Sequence, residues 1–222
     1  WDKGGLKVAK VDSQAGAEPQ GDATLSGAKY DIVNSSGKYA LVDGRYYASG
    51  EVVKTITGHW DGGAGAYIAK TASNALPCGT YTVVESEAPE GYLVSDWSAK
   101  AEINSDGQVL TGSPCADDVI RGGVQVTKSD VELGASEALG GSSHDTLTTG
   151  STLSGIEFTI ANASERKVLV DGSWYEPGDV IETIATAWND EMGAYTAQTA
   201  ADALPYGTYT IAETATNDSY LL

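Results

Sequence analysis

Cations are scarce in this chain. It has 13 Lys and Arg against 31 Asp and Glu, for a formal net charge of −18. Nucleic acid and anionic lipid are polyanions, so an acidic surface argues against both as partners and fits a well-solvated exterior. No apolar run is long enough to span a bilayer, and no signal peptide is present, so membrane insertion is not expected. Histidine occurs twice, and neither His59 nor His144 comes with a matching ligand set or nucleophile. The chain has no Gly-rich phosphate loop, Ser-His-Asp set or metal cluster, so neither a cofactor nor a metal is expected, and an enzyme of many turnovers is the least favoured class. Asp61-Gly-Gly and Asn189-Asp-Glu read as solvated turns, since they lack the spacing of a calcium loop. Cysteine occurs only at Cys78 and Cys115.

Helix-periodic stretches are few. Short alternating segments rich in Val, Thr and Tyr are separated by Gly, Asp, Asn and Ser turns, which predicts an all-β protein built of sandwiches. A long internal repeat organises them. Leu25–Tyr92 aligns with Leu153–Tyr220 without a gap, and nearly half of the pairs are identical. LSG at Leu25 returns at Leu153, LVDG at Leu41 returns at Leu169, and Trp60 returns at Trp188. A period this long indicates whole domains in tandem rather than solenoid turns. The 222 residues suit two domains, residues 1–121 and 122–222, each large enough for its own core. The Gly/Ser/Thr-rich stretch Gly134–Ser154 replaces a shorter loop of the first repeat. Repeat 2 ends at the echo of Tyr92, so its last strands are expected to lie beyond Leu222.

Each repeat places charges on faces patterned as core. In GTYTVVE, alternation puts Tyr81, Val83 and Glu85 on one side; in repeat 2 that side carries Tyr209, Ile211 and Glu213. Upstream, Leu6, Val8 and Lys10 share a face, as do Val124, Val126 and Lys128. A strand that simply ends there would let each charge reach water along its stem. Four such residues, placed alike in two copies, favour a buried Lys and Glu instead.

A lysine-x-aspartate near the start, followed by YTVVESEAPEGY, resembles the Cna-B/SpaA-type prealbumin-like domains of Gram-positive surface proteins and pilins. Repeat 2 keeps the Glu and the final Tyr but has Ala215-Thr-Asn-Asp-Ser where the family has the AP-x-G turn. The resemblance implies two tandem prealbumin-like (reverse Ig-type) sandwiches. It also implies a structural stalk at the cell wall, extracellular, with neighbouring repeats of the same protein as partners. The alternative is an adhesin module whose loops bind host glycan or matrix protein.

The same resemblance implies a self-formed amide between first and last strands, promoted by the Glu, in a single event without turnover. Burial lowers the pKa of Lys10 toward the neutral, nucleophilic form and raises that of Glu85. The electrophile, usually Asn in this family, falls by counting back from Lys128 on Asp117, with Asp118 its neighbour; alternation does not choose between them. Lys128 and Glu213 would then lack their partner. Two cysteines in a surface protein also suggest a Cys78–Cys115 disulfide. That pairing is awkward beside the amide, because Cys78 is far from Glu85 along its strand while Cys115 is close to Asp117. The electrophile could lie further on, the disulfide could replace the amide, or the cysteines could be free.

Overall fold

The computed structural model describes residues 2–131, 152–217 and 220. Most of Gly134–Ser154, and His144 with it, lies outside them. Every regular element among the described residues is a strand, and the chain divides into two compact units, residues 1–120 and 121–222. Arg121 belongs with the second: its guanidinium donates to the carbonyls of Leu169 and Ala203.

The first unit has twelve strands. They are β1 (Lys3–Asp12), β2 (Lys29–Asn34), β3 (Ala40–Val42), β4 (Arg45–Tyr47), β5 (Val52–Thr57) and β6 (His59–Asp61). Then come β7 (Ala66–Lys70), β8 (Leu76–Pro77), β9 (Gly79–Glu87), β10 (Ser98–Ile103), β11 (Val109–Thr111) and β12 (Cys115–Asp117). One sheet runs β10-β9-β2-β5; the other is centred on β1. One side of β1 pairs antiparallel with β7 and β8, and the other pairs parallel with β11 and β12. First and last strands therefore lie side by side, pointing the same way. Leu6 and Val8 of β1 share one buried core with Tyr30, Ile32, Tyr81, Val83 and Ile103 of the opposite sheet.

The second unit repeats this plan with β13 (Arg121–Gly122), β14 (Gln125–Lys128), β15 (Glu157–Asn162), β16 (Val168–Val170) and β17 (Ser173–Tyr175). It continues with β18 (Val180–Ala185), β19 (Ala187–Asn189), β20 (Ala194–Gln198), β21 (Leu204–Pro205) and β22 (Tyr209–Ala215). Among the described residues no strand takes the places of β10, β11 and β12. The face that alternation marks as core is accordingly less covered: Ile211 is 42% exposed, whereas its counterpart Val83 is 2% exposed.

Two sequence echoes have local causes. LVDG forms the β3–β4 and β16–β17 hairpins. Asp43 and Gly44 have φ of 50° and 82°, and Asp171 and Gly172 have 48° and 77°. Positive φ at both central residues matches the twist of the flanking strands, and Asp-Gly tolerates it. A β-bulge also recurs. Tyr30 faces Glu85 while Lys29 faces Glu87, leaving Ser86 extra; in the second unit Phe158 faces Glu213 and Glu157 faces Ala215. Bulges re-aim side chains. Here Glu85 stays inward, and Glu87 turns out to an ion pair with Lys29 at 2.6 Å.

A tryptophan that returns at one site in both repeats reads as a packing residue, yet Trp60 is largely outside the core. It stands 57% exposed, edge-on to Tyr67 with centroids 5.2 Å apart, and Trp188 meets Tyr195 in the same way at 5.3 Å.

Candidate functional site

The inward face of β1 delivers Lys10 into the core of the first unit, where it is 1% exposed. Glu85 arrives from β9 in the opposite sheet, and Asp117 from the end of β12. Lys10 Nζ lies 2.8 Å from Glu85 Oε1 and 2.5 Å from Asp117 Oδ2, and neither carboxyl side chain is exposed. Neither oxygen has a well-aligned hydrogen-bond donor, so close charge contact with the amine is what compensates their burial. Glu85 Oε2 accepts from the backbone N–H and the hydroxyl of Ser95, at 3.1 and 3.2 Å.

Two carboxylates and one ammonium would leave a net negative charge in an apolar core, which is costly. The site relieves this at Glu85. Burial pushes its pKa up against the opposing pull of Lys10 and Ser95, and proximity to Asp117 pushes it further. Lys10 departs from the sequence expectation. Burial acts most strongly and lowers its pKa, but together the close contacts with Asp117 and Glu85 outweigh this, and the ammonium is held above its ordinary value. The resting site is thus a buried Lys10 amine in close contact with two carboxyl groups, of which Glu85 is held above its ordinary pKa.

Of the two aspartates alternation left open, only Asp117 points inward. Asp118 is exposed and accepts from Ser13 Oγ at 2.5 Å.

The disulfide expectation is corrected. Cys78 and Cys115 are both free thiols, one exposed and one buried. Cys78 follows Pro77, which pairs with Lys3 at the start of β1, while Cys115 pairs with Lys10 on the other edge of that strand. Seven residues of strand separate those points, about 23 Å at roughly 3.3 Å per residue. A disulfide needs Cα atoms within about 7 Å.

Three participants were not anticipated from sequence as parts of this site. Cys115 Sγ accepts from Lys10 Nζ at 3.3 Å, Ser95 holds Glu85, and the buried Tyr30 hydroxyl adjoins Cys115. Cys115 was detectable in principle, because it lies two residues from Asp117 on the same strand face.

In the second unit, Lys128 Nζ and Glu213 Oε2 meet at 2.7 Å, with side chains 21% and 24% exposed. Lys128 pairs in register with Tyr195 as Lys10 does with Tyr67, so the two lysines occupy equivalent positions. Among the described residues no third carboxyl group joins this pair by ion pairing.

The SpaA family, described as a prealbumin-like fold domain, matches residues 4–113 and 144–222. The chain belongs to this family. Among solved structures, the Bacillus anthracis TIE protein aligns with 97% of this chain at 23% identity and a TM-score of 0.51; the match covers 29% of that protein's length. A streptococcal ancillary pilin aligns with 99% of the chain and 56% of its own at 20% identity, TM-score 0.38. The shaft pilin of Lactobacillus rhamnosus GG aligns with 98% and 89% at 16% identity, TM-score 0.32. At these identities the likeness is one of fold. No curated protein gives a match. No helix among the described residues is long and apolar enough to cross a membrane.

Proposed function

We propose that this chain is a structural segment of a Gram-positive cell-wall surface protein or pilin, a stalk of tandem sandwiches whose first unit locks itself with a Lys10–Asp117 amide. The carrying observation is the buried contact of Lys10 with both Asp117 and Glu85. The partners are neighbouring repeats and, at the distal end of the parent protein, a host-surface ligand.

The chemistry uses only groups already in contact. One proton passes from the Lys10 ammonium to a carboxylate, giving a neutral amine and a neutral acid. The amine attacks Cγ of Asp117, the C–N bond forms, one C–O bond breaks, and water leaves. Glu85 in its neutral form polarises the Asp117 carbonyl and relays the proton to the departing hydroxyl. The product has no charge on Lys10 or Asp117, which removes the cost of sealing an ion pair in the core.

Intact mass after full reduction tests this. The chain should be one water lighter than its sequence, and Lys10→Ala or Glu85→Ala should restore the full mass. A wild-type chain of full mass would end the amide reading.

A further inference from the structure

The amine of Lys10 has a third neighbour that the scheme above leaves idle. Cys115 lies directly beside Lys10 in the β1–β12 register and is fully buried. Its Sγ accepts from Lys10 Nζ at 3.3 Å and is 3.9 Å from Asp117 Oδ1, toward which the S–H donates. Ser95 Oγ, the group that holds Glu85, is 3.7 Å from the same sulfur. One thiol therefore touches both the nucleophile and the electrophile.

We propose that Cys115 takes part in forming the amide, by fixing the rotation of the Lys10 amine and by donating to Asp117 Oδ1 as that oxygen gains charge. The proposal rests on the amide reading. A neutral amine has two N–H bonds and one lone pair. Cys115 Sγ accepts from Nζ, and Glu85 Oε1 lies 2.8 Å from the same nitrogen in close charge contact. With one N–H committed to the sulfur and the other turned toward Glu85, the lone pair is left for the remaining neighbour, the Asp117 carboxyl. Without the sulfur, the amine turns about its Cε–Nζ bond and the attacking orbital is aligned for only part of the time. The S–H contributes at the other end of the forming bond. A thiol is a weak donor, but here it is fixed in place and shielded from water, where a donor counts for most. Burial is the main cause of its raised pKa, and this keeps the proton on sulfur. The thiol is unchanged when water has left, so the balance of atoms is that of the amide alone.

Position 115 thus needs a small side chain that both accepts and donates, and serine meets that requirement. The test is a pulse of cell-free synthesis of the full chain, with intact mass followed over time. Cys115→Ser should lose water at about the wild-type rate. Cys115→Ala should reach the same loss of one water from its own sequence mass roughly tenfold more slowly, the equivalent of one ordinary hydrogen bond. Cys115→Val fills the volume without a polar atom; it should be slow as well, which separates lost polarity from lost packing. Alanine and valine variants that react at wild-type speed would overturn the role of Cys115 and leave the amide intact. A wild-type chain that never loses water would overturn both.

Discussion

The Tyr92 phenol donates to the Asp12 carboxylate at 2.8 Å across a sequence separation of 80 residues, and in the second unit Tyr220 donates to Asp130 at 2.9 Å. Asp12 is 2% exposed and also accepts from Gln20 Nε2 and from the backbone N–H groups of Gln14 and Ala15. This explains two fixed points of the sequence pattern, the aspartate two residues after the lysine and the tyrosine that closes each repeat. The pair ties the end of β1 to the loop after β9.

Removing the phenol leaves a buried carboxylate short of one donor. Tyr92→Phe should therefore destabilise the first unit by about 1–3 kcal/mol. Chemical denaturation in a Lys10→Ala background, where no covalent tie masks the loss, measures it. A midpoint unchanged from that background would show that the hydrogen bond does not matter.

The two aspartates should separate cleanly by mass. Asp117→Ala should keep the full mass of its sequence, while Asp118→Ala should still lose one water. Asp118 sits at the surface with Ser13 and has no path to the amine. Loss of water from Asp117→Ala would assign the electrophile elsewhere.

The rate of water loss should depend on pH through Glu85. Its folded-state pKa is raised by burial, so the neutral form persists above the ordinary carboxylate value of about 4.3. What the neutral form contributes, in stability or in rate, is complete below that ordinary value and is lost as pH rises through the raised one. Mass time courses across pH should show the fall. Glu85→Gln cannot ionise and should lack it, whatever rate it retains.

The thiols should behave as two separate groups. In the native, unreduced protein, a thiol reagent should label Cys78 alone; after denaturation it should label both. No labelled site in the denatured, unreduced protein would restore the disulfide.

The second unit should be nearly indifferent to its ion pair. Lys128 and Glu213 are partly exposed, and pairs of this kind contribute about 0–1 kcal/mol. Lys128→Met should shift the unfolding of that unit by no more than this.

Much of this was readable in the chain. Lys10 and Glu85 announced themselves by breaking the alternation of their strands, and the gapless repeat marked out two all-β units. Asp117 was harder. Its strand is only three residues long, and alternation gave both aspartates an apolar partner two positions on, so only the parallel register with β1 selects the inward one. Cys115 was misassigned because composition records that two cysteines exist but not that the length of β1 lies between them. The pKa of Lys10 went against expectation for a related reason. Burial alone lowers a lysine, and its outcome depends on how many acids are buried with it, which is a property of three strands distant in sequence.

The parallel pairing of β1 with β12 has a mechanical consequence. When the ends of the first unit are pulled apart, the two strands slide along each other in shear, so their hydrogen bonds resist together and do not unzip one by one. With Lys10 joined to Asp117, tension entering along β1 crosses the amide and leaves past β12. The segment from Val11 to Ala116 lies outside that path. It can be strained, warmed or locally opened without lengthening that path, and the core it forms can relax while the ends are held under tension.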